Sequence, residues 1–357
     1  MTRMMHRTIL CLGLLGLLAA CRNEDDSPRP KAITSYPEGI FVLNRGNDDV
    51  ANGTVSFYQR ECQQVVTNIY LKANLSPQLG NDLRDLVFIG NEAFVLSNRS
   101  NRLTIVNADD FSFLDSIEGL ANPQHLLVVN PNKIYVSQWG ANGLTGSIEI
   151  VDVPSRSIVG SIRTPGGPGR MIAQGPAVFV ANSGGFAPDS LLSKIDATSD
   201  RFLKTIEVGV NPVDLVEDNE GGIWTLCGGV LVNFQDPSSP DNTPGRLVRV
   251  SNDRAELAFP LTAGARNLVI NRAGDQLYFV NNNWTYEHGI RQTSLSLVPF
   301  LDVSFNAYAV DPTTGFLLAA NALDFSRRGE IVRFDLNRAS PIDTFAAGIV
   351  PTAFAFQ

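Results

Sequence analysis

The chain has 357 residues, of which 44% are hydrophobic and 18% charged. That is enough apolar material for a large core, and it excludes an intrinsically disordered chain. The formal charge of −8 argues against nucleic acid as a partner, because nucleic acid requires a broad positive surface. Most of the basic residues are Arg rather than Lys, and the planar guanidinium fork suits carboxylates, phosphates and amide oxygens.

Residues 1–20 read as a targeting leader. Arg3, His6 and Arg7 form a basic start, residues 9–18 are almost wholly apolar, and Ala19 and Ala20 supply small residues for cleavage. The apolar run is too short for a spanning helix. Leu18-Ala19-Ala20-Cys21 resembles the bacterial lipobox, which implies that Cys21 is acylated and becomes the new N-terminus. Residues 21–35 are polar and proline-bearing, the composition of a flexible tether. Their acidic run Glu24-Asp25-Asp26 resembles the export signal of surface lipoproteins, and Arg22 stands where inner-membrane retention would call for Asp. The expectation is a lipid-anchored, surface-exposed protein of an outer membrane. Processing would remove two of the 28 basic residues and none of the 36 acidic ones, deepening the charge to −10.

From residue 36 to residue 357 one phrase recurs. A short apolar strand is followed by a tight turn, a strand with a central aromatic, a loop, and a strictly alternating strand that often begins with Gly. First strands start at Leu83, Pro123, Gly169, Pro212, Ala265, Asn306 and Pro351, about 40 to 50 residues apart, the period of a propeller blade. Second strands carry Phe41, Phe94, Tyr135, Phe179, Trp224, Tyr278 and Leu318; three residues later stand Asn44, Ser97, Gln138, Asn182, Cys227, Asn281 and Asn321. Third strands such as Gly146-Ser-Ile-Glu-Ile-Val-Asp alternate with period two. The reading is an all-β, seven-bladed β-propeller of four-stranded blades, with blade 6 the weakest copy and its last strand short near Phe300. Because one first strand lies at the C-terminus, residues 351–357 should pair beside residues 38–44 and close the ring.

Phe179-Val-Ala-Asn, Gly146-Ser-Ile-Glu-Ile-Val-Asp and Lys204-Thr-Ile-Glu-Val-Gly-Val-Asn-Pro resemble the YVTN-type, surface-layer-like propellers. The opening Glu38-Gly-Ile-Phe-Val-Leu-Asn-Arg-Gly-Asn is similar to a lipoprotein branch of that group, which includes surface propellers that capture cobalamin for a TonB-dependent outer-membrane transporter. The resemblance spans the mature chain. It implies a small-molecule ligand, most concretely a corrinoid, and a TonB-dependent receptor as partner. Arg45 stands where that branch usually has an acid.

The loops point to one end of the scaffold. Turns joining first to second and third to fourth strands are tight, whereas loops after the second strand are long in every blade but blade 2 (45–52, 139–145, 183–189, 228–244, 281–289 and 322–328). Long loops gathered at one end of a rigid scaffold are where binding groups sit. Two constellations fall on that face. Aligned first strands put Arg84, Gln124, Arg170 and Arg266 at one equivalent position, around a channel mouth or in blade-to-blade ion pairs with Asp85 and Asp214. The loops supply Trp139, Asn142, Phe186, Asn282, Asn283, Trp284, Tyr286 and Phe325, aromatics beside amides that suit a flat, polar-edged ligand.

Catalytic signatures are nearly absent: there is no GxSxG, HExxH, P-loop or dinucleotide fingerprint. Two histidines remain after processing, His125 and His288, too few for a histidine-rich metal site, and no cofactor is expected. His288 beside Glu287 keeps open a propeller-type lyase or hydrolase. Cys62 and Cys227 have no zinc or disulfide spacing and read as small hydrophobes. The expected function is capture of a small molecule at the cell surface, with a propeller enzyme or a protein-interaction scaffold as alternatives.

Overall fold

The computed structural model describes residues 34–47, 50, 52–75 and 79–357. The leader, Cys21 and the tether up to residue 33 lie outside the described residues.

Among the described residues, 27 strands sort into seven antiparallel sheets, six of four strands and one of three. The innermost strands are Leu83–Ile89, Pro123–Asn130, Pro168–Gln174, Pro212–Glu217, Arg266–Ile270 and Ala307–Val310 of blades 2 to 7, and Pro351–Phe356 of blade 1. Each packs beside the next, and Pro351–Phe356 lies between the innermost strands of blades 7 and 2. The ring is therefore a closed, seven-bladed propeller. Closure is made by the C-terminal strand, which pairs antiparallel with Ile40–Asn44 from Ile40 opposite Phe356 to Asn44 opposite Pro351. This pairing covers the inner edge of Ile40–Asn44, which would otherwise be open to aggregation.

Burial follows position in the blade. The second strands, sandwiched between neighbouring blades on both faces, are buried almost throughout, as in Ile40–Asn44 and Ile223–Cys227. An outermost strand such as Arg201–Glu207 is mostly exposed. The core is consequently a set of apolar layers between blades rather than one central mass. Phe94 of blade 2 meets Leu126, Ile134 and Val151 of blade 3; Trp224 of blade 5 meets Leu277 and Phe279 of blade 6.

Blade 6 departs from the four-stranded expectation. Its strands are Arg266–Ile270, Gln276–Asn281 and Trp284–Gly289, and the segment that should form a fourth makes only a single bridge, Leu301 to Thr285. Pro299 cannot donate to a ladder, and Leu297 and Val298 just before it stand exposed rather than packed in a sheet. A further departure is a short helix, Ile69–Ala73, in the connection from blade 1 to blade 2.

Candidate functional site

The chemistry at the loop face begins with a backbone irregularity. In six of the seven blades the pairing of the innermost strand with the second shifts register near its start: Leu83 to Asp85, Pro123 to His125, Pro168 to Met171, Pro212 to Asp214, Arg266 to Val269, and Thr352. Extra residues in one strand of a pair bend it and re-aim its side chains. Arg84, Gln124, Arg170, Val213 and Thr352 all sit at these bulges, and Arg266 flanks one. Five of the seven positions aligned from the sequence thus share a bulge, whereas Ala307 of blade 7 pairs regularly with Ala320.

The polar residues closing the second strands are structural. Asn44 Oδ1 accepts from Gly348 N–H at 2.7 Å, Gln138 Oε1 from Ala121 N–H at 2.8 Å, and Asn281 Oδ1 from Thr262 N–H at 2.9 Å. Asn182 Nδ2 donates to Pro165 O at 3.1 Å. In each case the amide pins the segment that crosses over from the previous blade.

The four bulge-associated side chains have different fates. Gln124 is buried and its amide donates to the Asn122 carbonyl and side chain. Arg84, 39% exposed, reaches Asp82 at 2.8 Å, and Arg45 meets the same buried carboxylate at 3.1 Å. Asp82 was not singled out from the sequence; an acid two residues before an Arg at a strand start was the available signal. Arg170, 45% exposed, lies 3.7 Å from Asp214, a blade 4 to blade 5 ion pair. Arg266 donates to Gly264 O at 3.2 Å and Ser304 Oγ at 3.3 Å and forms no ion pair among the described residues. Burial pushes its guanidinium below the ordinary value, and the nearby Tyr308 only partly offsets this.

Below the mouth, Asp85, Arg170, Asp214, Asn306, Tyr308 and Thr352 help line a cavity of about 330 Å³ in the channel. Asp85 and Asp214 tie innermost strands together: Leu126 N–H donates to Asp85 Oδ2 at 3.0 Å, and Leu268 N–H to Asp214 Oδ2 at 3.1 Å. His125 Nδ1 lies 3.3 Å from the same Asp85 oxygen. Burial would raise the Asp85 carboxyl, but the His125 contact, the Arg170 charge and the Leu126 N–H outweigh it and hold the group below its usual range. Burial, with Arg170 adding to it, lowers His125 despite the Asp85 partner. The pair is then an ionised Asp85 accepting from a neutral imidazole protonated at Nδ1.

The loop aromatics divide as well. Trp139 Nε1 donates to Pro168 O at 3.1 Å and its ring meets the edge of Phe186 at 5.9 Å, so it ties the blade 3 loop to blade 4. Asn142 turns that loop by accepting from Leu144 N–H at 3.0 Å. Phe186 itself is 72% exposed, and Phe325 is exposed too. Residues 281–289 are not the expected long loop. Asn282 and Asn283 both adopt left-handed φ, at 49° and 64°, and turn the chain directly from Asn281 into the strand Trp284–Gly289. Two consecutive left-handed residues make the tight hairpin turn that Asn tolerates. Tyr286 therefore belongs to a strand and stacks on Phe279. Trp284, at the hairpin end, keeps 43% of its surface exposed. His288 is fully buried against Trp224 and Phe259, and neither ring nitrogen has a hydrogen-bond partner among the described residues. The His288–Glu287 pair cannot serve as an accessible catalytic dyad.

The two faces differ in character. Exposed large apolar side chains on the loop face include Leu144, Phe186, Val232, Phe234, Trp284 and Phe325. The tight-turn face carries further ion pairs between blades: Arg156 with Glu92, Lys133 with Asp200, Lys194 with Asp253, and Arg60 with Asp311. Cys227 is buried as expected, but Cys62 is exposed in a turn on that second face. Among the described residues no group of three or more His, Cys, Asp or Glu could hold a metal ion.

The fold and this site define a seven-bladed β-propeller with a guanidinium-bearing channel mouth and an apolar loop face. The chain belongs to the family described as "Domain of unknown function (DUF5074)", which matches residues 38–288. Among solved structures it is similar to a quinonprotein alcohol dehydrogenase-like protein from Bacteroides thetaiotaomicron, at 17% identity and a TM-score of 0.64, covering 90% of this chain and 79% of that one. It is similar also to a Bacteroides fragilis protein with the provisional name 6-phosphogluconolactonase, at 12% identity and TM-score 0.64, covering 90% and 98%. A functionally unknown protein from Desulfotomaculum acetoxidans matches at 11% identity and TM-score 0.63, covering 89% and 98%. At these identities the likeness is one of fold. No curated protein matches the chain.

Proposed function

We propose that this protein is a lipid-anchored binding protein of the outer-membrane surface, capturing a small molecule on its loop face for a TonB-dependent transporter. The observation that carries the reading is the gathering of half-exposed Arg84 and Arg170 with exposed Phe186, Trp284 and Phe325 at the loop face. Arg84, Arg170 and Arg266 supply forked donors, while Trp284, Phe186 and Phe325 supply flat apolar area. The corrinoid implied by the sequence resemblance offers partners for both, with amides around its edge and, in cobalamin, a phosphodiester. Gln124, Trp139 and Tyr286 have no direct part in this reading, since each is committed to neighbouring atoms.

Titration calorimetry of cobalamin into the mature chain tests it. Binding heat is expected, and losing one charged hydrogen bond costs about 1.5–3 kcal/mol, on the order of ten- to a hundredfold in affinity. Arg170→Ala and Trp284→Ala should each weaken binding with melting little changed. Absence of heat and of any spectral change with both cobalamin and cobinamide would overturn the corrinoid reading. Cys21→Ala should release the protein from the membrane fraction; a variant that stays membrane-bound would overturn the anchor.

A further inference from the structure

We propose that Arg266 is the anchor of an oxyanion subsite at the seam between blades 6 and 7, taking a carboxylate or phosphate group of the ligand. The inference deepens the proposed function and rests on the loop face being the binding face. Of the three mouth arginines, two are already compensated: Arg84 by Asp82 at 2.8 Å and Arg170 by Asp214 at 3.7 Å. Arg266 is half-buried, and among the described residues its hydrogen bonds go to two neutral oxygens, Gly264 O at 3.2 Å and Ser304 Oγ at 3.3 Å. Both lie at the long end of the range for such bonds. A guanidinium carries five N–H donors in a fixed fork, so most of this fork is unspent.

A partly desolvated charge without a counter-charge is costly to keep, and an arriving anion removes that cost. The surroundings suit such an arrival. The Ser304 hydroxyl beside the fork can rotate to donate to an oxyanion. In the adjoining cavity the Thr352 hydroxyl, at the equivalent bulge of blade 1, is buried with no hydrogen-bond partner. Deeper in the channel Asp85 and Asp214 add negative charge, which keeps an anion at the mouth rather than inside.

The test uses the mature chain and two probes, inorganic phosphate and acetate, against chloride at equal ionic strength, read as a shift in melting temperature. A ligand that binds only the folded state raises that temperature. Wild type and the exposed tight-turn variant Arg338→Met should show the same rise. Arg266→Met should lose it while melting at or above wild type in chloride, and Arg266→Lys should recover part of it. A rise with phosphate alone names phosphate as the source, a rise with acetate alone a carboxylate; both uphold the subsite. An unchanged rise in Arg266→Met overturns the proposal, as does no rise in wild type with either probe. Arg266→Met melting well below wild type in chloride would also overturn it, because the guanidinium would then be a structural strut. An Arg266-dependent anion shift without cobalamin heat keeps this subsite and removes the corrinoid reading; cobalamin heat without an anion shift does the reverse.

Discussion

Arg60 and Asp311 lie 251 positions apart in sequence and form a two-pronged ion pair, with Nε to Oδ2 and Nη2 to Oδ1 both at 3.0 Å. Arg60 belongs to blade 1 and Asp311 to blade 7, so the pair brackets the seam where the ring closes. The Asp311 carboxylate is fully buried, while the Arg60 side chain is 16% exposed. Breaking a buried pair from one side costs about 3–5 kcal/mol, because the remaining charge is stranded. The partial exposure of Arg60 puts Arg60→Met at the low end, near 3 kcal/mol. At about 2 °C per kcal/mol for a domain of this size, melting should fall by about 6 °C in a calorimetric scan. Adding Asp311→Asn to Arg60→Met should recover part of the loss, since it removes the stranded charge. The pH dependence follows from the same pair. Burial would raise the Asp311 carboxyl, but the Arg60 hydrogen bonds and the Thr313 N–H outweigh it and lower the group from its usual 3.8. A depressed carboxyl stabilises above its unfolded value and loses that contribution as pH falls through the folded value. The gap between wild type and Arg60→Met should therefore be constant near neutrality and close in acid. If Arg60→Met melts with the wild type at neutral pH, the seam does not depend on this bracket.

Three other outcomes follow. His288, lowered from 6.5 by burial, stays neutral in the fold but protonates in the unfolded chain, so stability should drop below pH 6.5 by at most about 1.4 kcal/mol per pH unit. His288→Phe should flatten that slope in urea unfolding measured from pH 7 to 5, leaving the share due to His125; an unchanged slope would contradict the burial argument. Deleting residues 351–357 removes the innermost strand of blade 1 and should cause aggregation or a large drop in melting temperature, checked by light scattering and calorimetry; a truncated chain that melts like the intact one would rule out closure by this strand. A thiol reagent should modify exposed Cys62 in the native protein and reach Cys227, buried and pushed up to about 12, only on unfolding; mass spectrometry of native Cys227 adducts would contradict its burial.

The propeller was legible because its determinants are local and repeated. An apolar second strand recurs seven times, with a central aromatic in six blades and both aromatic and terminal amide in four, such as Phe41 with Asn44 or Phe179 with Asn182. Even the closing strand could be placed, since Pro351-Thr-Ala-Phe-Ala-Phe reads like the other six first strands. The site was less legible because its character is set by contacts between blades. Nothing in the spacing of Arg84, Gln124, Arg170 and Arg266 distinguishes the residue paired with Asp82 from the one facing neutral oxygens. Gln124 was lost to Asn122, only two positions away, and Trp139 to a carbonyl 29 positions on. The segment 281–289 was misjudged for a local reason. The Asn282-Asn283 pair is a hairpin signal, and Thr285 and His288, on opposite faces of the strand that follows, are buried against blades 7 and 5.

The central claim is that ligand binds on the loop face, and amide hydrogen exchange with and without cobalamin tests it most directly. Protection should appear in residues 139–146, 183–190, 228–244 and 322–327 and at the starts of the innermost strands around Arg84, Arg170 and Arg266. The tight turns, such as 219–222 and 271–275, should exchange as in the free protein. Protection confined to those turns, or none on either face at saturating cobalamin, would contradict the account.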